Sequence, residues 1–213
     1  MKFAAALFDL DGTLQDSEIH WIYATRDFIR DNGLDISDDE AVKLVYGRSS
    51  TEIYEDIAAL PPFRDRTVEE LADAIRGYYG YRLETEDIAY PSSVALLKAM
   101  AKDMPVAIVS GSPRSDVIAA AKRLGVADDL SLILGAEDAS RGKPDPECFL
   151  KAAEILKVDP EKCIVLEDSN AGVRAAKAGG MYCVAISRKG RPVQDVSAAD
   201  VIVGDLSEYK YEP

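Results

Sequence analysis

Phe3-Ala4-Ala5-Ala6-Leu7-Phe8-Asp9-Leu10-Asp11-Gly12-Thr13 carries six apolar residues that end in two carboxylates spaced two apart. An unbroken apolar run closed by a glycine turn reads as a buried parallel strand that delivers its last residues to a sheet edge. In extended backbone, residues i and i+2 point the same way, so Asp9 and Asp11 face one pocket while Leu10 packs away from it. The pair alone is compatible with a metal site, an acid/base couple or an ordinary Asp-Gly turn.

Outward from this stretch the pattern changes twice. From Glu18 to about Leu83 the periodicity is helical: Ile19, Ile22, Tyr23 and Ile29 form one stripe, and Asn32-Gly33 suits its C-cap. Ser37 with Glu40, Ser49 with Glu52, and Thr67 with Glu70 have the capping-box spacing. After Tyr90-Pro91 the rhythm becomes strand then helix. Val106–Val109 precedes a helical stretch to Leu124, with Pro113 expected at the first helical position. Leu132–Leu134 precedes a helix from about Pro146 to Leu156, and Ile164–Leu166 leads into Asn170–Ala178. Tyr182–Ile186 and Val201–Val203 complete the sheet. This alternation predicts an α/β fold, a doubly wound (Rossmann-like) parallel sheet core. The helical block interrupts it as an inserted α-helical cap. The expected domains are 1–16 with 88–213 for the core and 17–87 for the cap, with the gate at the crossings near Asp16–Ser17 and Ile88–Pro91.

Composition narrows the partners. The 213 residues are 47% hydrophobic, enough to build a core, and carry a formal charge of −13. Nucleic acid and anionic membrane both demand a cationic face, so neither is expected. Met1-Lys2-Phe3 runs directly into the first strand, and no apolar stretch approaches a membrane span, so a cytoplasmic protein is expected, as a monomer. Cys148, Cys163 and Cys183 lack CxxC spacing and read as reduced, buried thiols.

Polar clusters follow four of the sheet elements. Ligands of an open parallel sheet bind beyond the carboxyl ends of its strands, so residues just after the apolar runs converge whatever their separation in sequence. Asp9 and Asp11, Ser110-Gly111-Ser112, Lys143 in Gly142-Lys-Pro-Asp-Pro146, and Glu167-Asp168 occupy such positions. The set suits phosphoryl transfer: a carboxylate nucleophile, hard oxygen ligands for Mg²⁺, and a cation for the transferring group. Asp9 and Asp168 supply metal oxygens. Ser110, Gly111 and the amides around Ser112 and Pro113 suit phosphate oxygens, and Lys143 holds the nucleophile and offsets charge.

Together Asp9-Leu-Asp-Gly-Thr13, Ser110 in Val-Ser-Gly-Ser-Pro, Lys143 in Gly-Lys-Pro-Asp-Pro, and Glu167-Asp-Ser-Asn-Ala-Gly172 resemble the haloacid dehalogenase superfamily, in the family's order. The helical insertion resembles the cap of the beta-phosphoglucomutase-like subgroup. The resemblance implies Asp9 as nucleophile, Asp11 as general acid/base with its backbone carbonyl on Mg²⁺, Asp168 as metal ligand, and Glu167 as a further ligand or an outer-shell partner. It implies phosphoryl binding by Ser110 and Lys143. An acid at position 11 argues against dehalogenation, because halide leaves without a proton. Lys43 alone in the cap argues against an imine-forming phosphonatase. Gly47-Arg48 lacks the mutase spacing of Gly-x-x-Arg, and His20 falls one residue short of the mutase histidine. A hinge or surface role is expected for His20, and packing roles for Trp21, Tyr78, Tyr79 and Tyr81. The expected function is a Mg²⁺-dependent phosphatase acting on a small phosphorylated metabolite, a sugar phosphate, through aspartyl-phosphate. The alternatives are a beta-phosphoglucomutase-type mutase and a non-enzymatic binding member of the fold, while Arg48, Tyr54, Tyr78 and Tyr81 are the candidates for reading the leaving group.

Overall fold

The structure is a computed structural model that describes residues 3–46, 48, 50–191 and 193–212. Six parallel strands form one sheet: β1 (Ala5–Phe8), β2 (Val106–Val109), β3 (Leu132–Leu134), β4 (Cys163–Glu167), β5 (Tyr182–Ile186) and β6 (Val201–Val203), in the order β3-β2-β1-β4-β5-β6. This is the doubly wound architecture expected from the alternating pattern. Three strand ends differ from the sequence reading, the start of β4 among them, which lies at Cys163 rather than Ile164. Phe3 and Ala4 precede β1, and β4 runs on through Glu167, which is therefore its last residue rather than the first residue after it.

The strands are apolar throughout because both faces are covered. Alternate residues divide between two cores. Ala6, Phe8, Ile108, Ile164, Leu166 and Val184 pack against Leu97 and Met100 of α5 (Pro91–Met100) and Val117 and Ala121 of α6 (Arg114–Arg123). Leu7, Ala107, Val165, Cys183 and Ala185 pack against Phe149 and Ala152 of α7 (Glu147–Leu156) and Val173 and Ala176 of α8 (Asn170–Ala178). Fully burying a side chain such as Phe8 or Phe149 stabilises the fold by about 1.5–3 kcal/mol each.

Contacts divide the chain into two compact units, Met1–Gln15 with Ala89–Pro213, and Asp16–Ile88. The second unit is helical: α1 (Ser17–Asp31), α2 (Asp38–Val45), α3 (Ser50–Ala59) and α4 (Val68–Thr85). Its own core gathers Ile22, Phe28, Ile29, Ile57, Phe63, Leu71 and Ile75, with Phe28 stacked on Phe63 at a centroid distance of 5.1 Å. Both Ser37/Glu40 and Thr67/Glu70 make reciprocal capping boxes, at α2 and α4. Gly47 and Ser49, and with Ser49 the third capping box, lie outside the described residues. No helix among the described residues is long and apolar enough to cross a membrane.

Candidate active site

The sheet order reverses direction at β1, whose neighbours are β2 on one side and β4 on the other. Connections leaving β1 and β4 turn to opposite faces there, which opens a crevice at the carboxyl ends. Register fills it with acids. Phe8 pairs with Leu166, and the Asp9 amide donates to the Leu166 carbonyl at 2.9 Å, so Asp9 and Glu167 stand one step further along adjacent strands.

Asp9, Glu167 and Asp168 form the group of carboxylates, among the described residues, whose oxygens lie within 4.8 Å of one another. The Asp11 carboxylate is not part of that trio. Its Oδ2 accepts from Ser112 Oγ at 2.7 Å and Ser110 Oγ at 3.3 Å, and its Oδ1 accepts from Gln15 Nε2 at 3.0 Å.

Lys143 ties the trio together. Its ammonium donates to Asp9 Oδ1 at 2.6 Å, Glu167 Oε1 at 2.8 Å and the Val109 carbonyl at 3.2 Å, which uses all three of its protons. Burial alone would depress the ammonium, but Asp9 and Glu167 outweigh it and hold Lys143 above its usual range. For Asp9, burial is the largest influence and raises the carboxyl; Lys143 opposes this, while Glu167, Asp168 and Asp11 add to the rise. Asp168 is pushed up to about 7, by burial and then by Glu167, against Lys143, Thr13 Oγ1 and Arg188.

Glu167 is 1% exposed, and both its oxygens are engaged. Oε1 takes Lys143, while Oε2 accepts the amides of Asp168 and Ser169, both at 2.8 Å, and Ser169 Oγ at 2.9 Å. Ser169 is the N-cap of α8, accepting from the Gly172 amide at 3.0 Å. Glycine is sterically required at two places beside these carboxylates. A Cβ on Gly172 would stand 1.6 Å from Glu167 Oε1, and one on Gly12, which has φ of +87°, would stand 2.1 Å from Asp168 Oδ2.

The predicted phosphate cradle is altered in detail. Pro113 is the N-cap of α6, not its first residue, and brings no N–H. The Ser112 amide already donates to Ser110 Oγ at 3.0 Å, and that of Arg114 to Glu137 Oε2 at 3.0 Å. A Cβ at Gly111 would meet nothing within 4 Å, so that side of the loop is open. Lys143 is presented by a loop that Glu147 clamps: its carboxylate accepts the Ser140 amide at 2.7 Å and the Arg141 amide at 3.1 Å. The Lys143-Pro144 peptide bond is cis.

In the helical unit, Tyr78 and Tyr79 pack as expected, Tyr78 edge-on to Phe28 and Tyr79 edge-on to Trp21. Tyr81 is 68% exposed, so the packing role expected for it does not hold. Arg48 donates to Asp56 Oδ2 at 2.7 Å, and Tyr54 is buried. His20 is partly buried, with Nδ1 3.0 Å from Glu86.

Sequence reasoning missed Ser112 and Gln15 as partners of Asp11, and Thr13, whose Oγ1 donates to Asp168 Oδ1 at 3.3 Å. It also missed Arg188, which donates to the Gly12 carbonyl at 3.0 Å with its guanidinium 3.6 Å from the Tyr90 ring centroid. Thr13 and Gly172 stand inside the quoted motifs and were readable there. Gln15 and Arg188 carry no local signal.

Fold and site define an α/β protein with a carboxylate-rich centre at the switch point of its sheet. A family model described as haloacid dehalogenase-like hydrolase matches residues 3–180. The validoxylamine A 7'-phosphate phosphatase of Streptomyces hygroscopicus subsp. limoneus is 32% identical over 98% of this chain and 97% of its own. Hexitol phosphatase A of Escherichia coli (strain K12) is 32% identical over 88% of this chain and 84% of its own. A crystal structure of a putative beta-phosphoglucomutase from Thermotoga maritima shares the fold, with a TM-score of 0.82 at 22% identity and 94% of both chains covered. The chain belongs to the haloacid dehalogenase-like hydrolases. As a member it is an enzyme, which removes the non-enzymatic alternative.

Proposed function

We propose that this hydrolase is a Mg²⁺-dependent phosphatase that cleaves a small phosphorylated metabolite, a sugar phosphate, through an aspartyl-phosphate on Asp9. The observation that carries the reading is Lys143 bridging Asp9 and Glu167 beside Asp168. The two relatives named validoxylamine A 7'-phosphate phosphatase and hexitol phosphatase A support the substrate class.

The residues fit a magnesium ion. Three hard carboxylates converge beside one ammonium, and burial, reinforced by the neighbouring carboxylates, holds Asp9 and Asp168 above the usual carboxylate range, a surplus of negative charge that a divalent cation offsets. Asp9, Asp168 and the Asp11 backbone carbonyl would hold it, with Glu167 beside them. When bound, Mg²⁺ neutralises this charge and polarises the phosphoryl oxygens.

Lys143 fixes the Asp9 carboxylate for in-line attack on phosphorus. As the Asp9 O–P bond forms, the ester P–O bond breaks, and Asp11 gives its proton to the departing alcohol oxygen. Water then attacks the aspartyl-phosphate, Asp11 takes up its proton, and inorganic phosphate leaves. Ser110 and the open backbone at Gly111 receive the phosphoryl oxygens. The enzyme works as a cytoplasmic monomer whose −13 charge disfavours nucleic acid and anionic membrane.

A panel of phosphorylated sugars, polyols, nucleotides and glycolate, assayed with Mg²⁺ and with EDTA, tests the proposal. Turnover of a sugar or polyol phosphate that needs Mg²⁺ and is lost by about 10³-fold or more in Asp9→Asn is expected. Turnover that survives Asp9→Asn overturns it.

A further inference from the structure

Gln15 is 4% exposed, yet its polar amide has neither a motif nor a role in the reaction described above. The loop from Leu10 brings it there. The Leu10 carbonyl accepts the amides of Thr13, Leu14 and Gln15, and the Gln15 carbonyl accepts the Gly12 amide at 2.8 Å. Four residues after Asp11, the chain thus lies beside it again, and Gln15 pairs on its other side with Ala89. The side chain then bridges two groups. Gln15 Nε2 donates to Asp11 Oδ1 at 3.0 Å, and Gln15 Oε1 accepts from Arg123 Nη2, on α6, at 2.6 Å.

A guanidinium only donates and a carboxylate only accepts, so one orientation of the amide satisfies both partners. Arg123 therefore fixes which end of Gln15 faces Asp11. Ser112 and Ser110 hold the opposite oxygen of the same carboxylate, so Asp11 is gripped at both ends. Without Gln15, only one oxygen would be held, and the carboxyl group could turn about its Cβ–Cγ bond.

The geometry points to Gln15 and Arg123 as a positioning relay for Asp11, two hydrogen bonds that aim the proton donor at the leaving oxygen. The inference rests on the reading of Asp11 as general acid. Neither residue touches substrate; both act through Asp11. Losing the aim costs most where a proton is most needed. When the Asp9 O–P bond forms and the ester bond of an alkyl phosphate breaks, the alkoxide must collect a proton from Asp11, whereas 4-nitrophenolate departs as the anion.

The test compares kcat/KM on 4-nitrophenyl phosphate with kcat/KM on the alkyl phosphate that the wild type hydrolyses best. Gln15→Leu is expected to lose about 10–100-fold on the alkyl substrate and far less on the aryl one. Arg123→Met shows the same selectivity, and Arg123→Lys, which keeps a cationic donor, recovers most of the loss. Arg123 is exposed, so its variants carry the test if Gln15→Leu does not fold. Equal losses on both substrates, or none on either, overturn the relay and leave Gln15 a buried filler. Asp11→Asn separates the two layers. If it is selective for alkyl substrates and the relay variants are not, only the relay fails; if it is not selective, the acid reading fails with it.

Discussion

Lys143 shows how single side chains hold this centre together. Its three protons meet three acceptors, so the ammonium is satisfied only while Asp9, Glu167 and the Val109 carbonyl keep their places. Lys143→Met leaves two buried carboxylates without their cation, and a loss of about 3–5 kcal/mol in urea denaturation is expected. An unchanged midpoint would show that the bridge contributes nothing to stability. Gly172 makes the complementary case. A methyl there collides with Glu167 Oε1, which must move and take the Lys143 contact with it. Gly172→Ala is expected to cost about 1–3 kcal/mol of stability and to lower kcat/KM by about tenfold or more. Full activity in that variant would contradict the account of Glu167 as a fixed acceptor.

At the scale of elements, the loop before α7 is held by its first residue. Hydrogen bonds from the Ser140 amide and hydroxyl and from Arg141 hold the Glu147 carboxyl down to about 2. A carboxyl depressed in the folded chain stabilises it fully above its ordinary range near 4.5, and the contribution fades as pH falls toward 2. The gap in urea midpoint between wild type and Glu147→Gln should therefore be widest at neutral pH and narrow below about pH 5. A gap independent of pH would mean that the clamp does not depend on charge. The elements themselves were readable in the sequence: β2, β3, β5, β6 and α8 have the bounds that their apolar runs and glycines imply. Helix starts were less so. Pro113 suits the first position of a helix by its fixed φ, but here it stands at the N-cap, φ −52° and ψ 139°, and the Arg114 amide beyond it goes to Glu137, 23 residues away. A partner that distant leaves no local trace.

For the whole molecule, the sheet order decides which residues meet. Four motifs separated by up to 159 residues, from Asp9 to Asp168, follow from strand–helix alternation and the rule for parallel sheets, which is why the site was legible in outline. Arg123–Gln15 and Arg188–Gly12 were not, because each joins an unremarkable loop residue to a partner fixed only by packing. The same sheet seals two of the three cysteines, with Cys163 pushed up to about 11 and Cys183 to about 12, in each case chiefly by burial. Cys148 is also buried and raised by burial. Native protein at pH 8 should resist iodoacetamide at all three, and denatured protein should take up three adducts by mass spectrometry. Rapid native alkylation would contradict the packing described for the face of the sheet that α7 and α8 cover. The central claim is that this assembly makes Asp9 a nucleophile. Acid quench of the enzyme during turnover, followed by peptide mapping, tests it most directly. One hydroxylamine-labile phosphoryl group on Asp9, absent from Asp9→Asn, is the predicted result; steady turnover with no phosphorylated enzyme, or with the label on another residue, would contradict it.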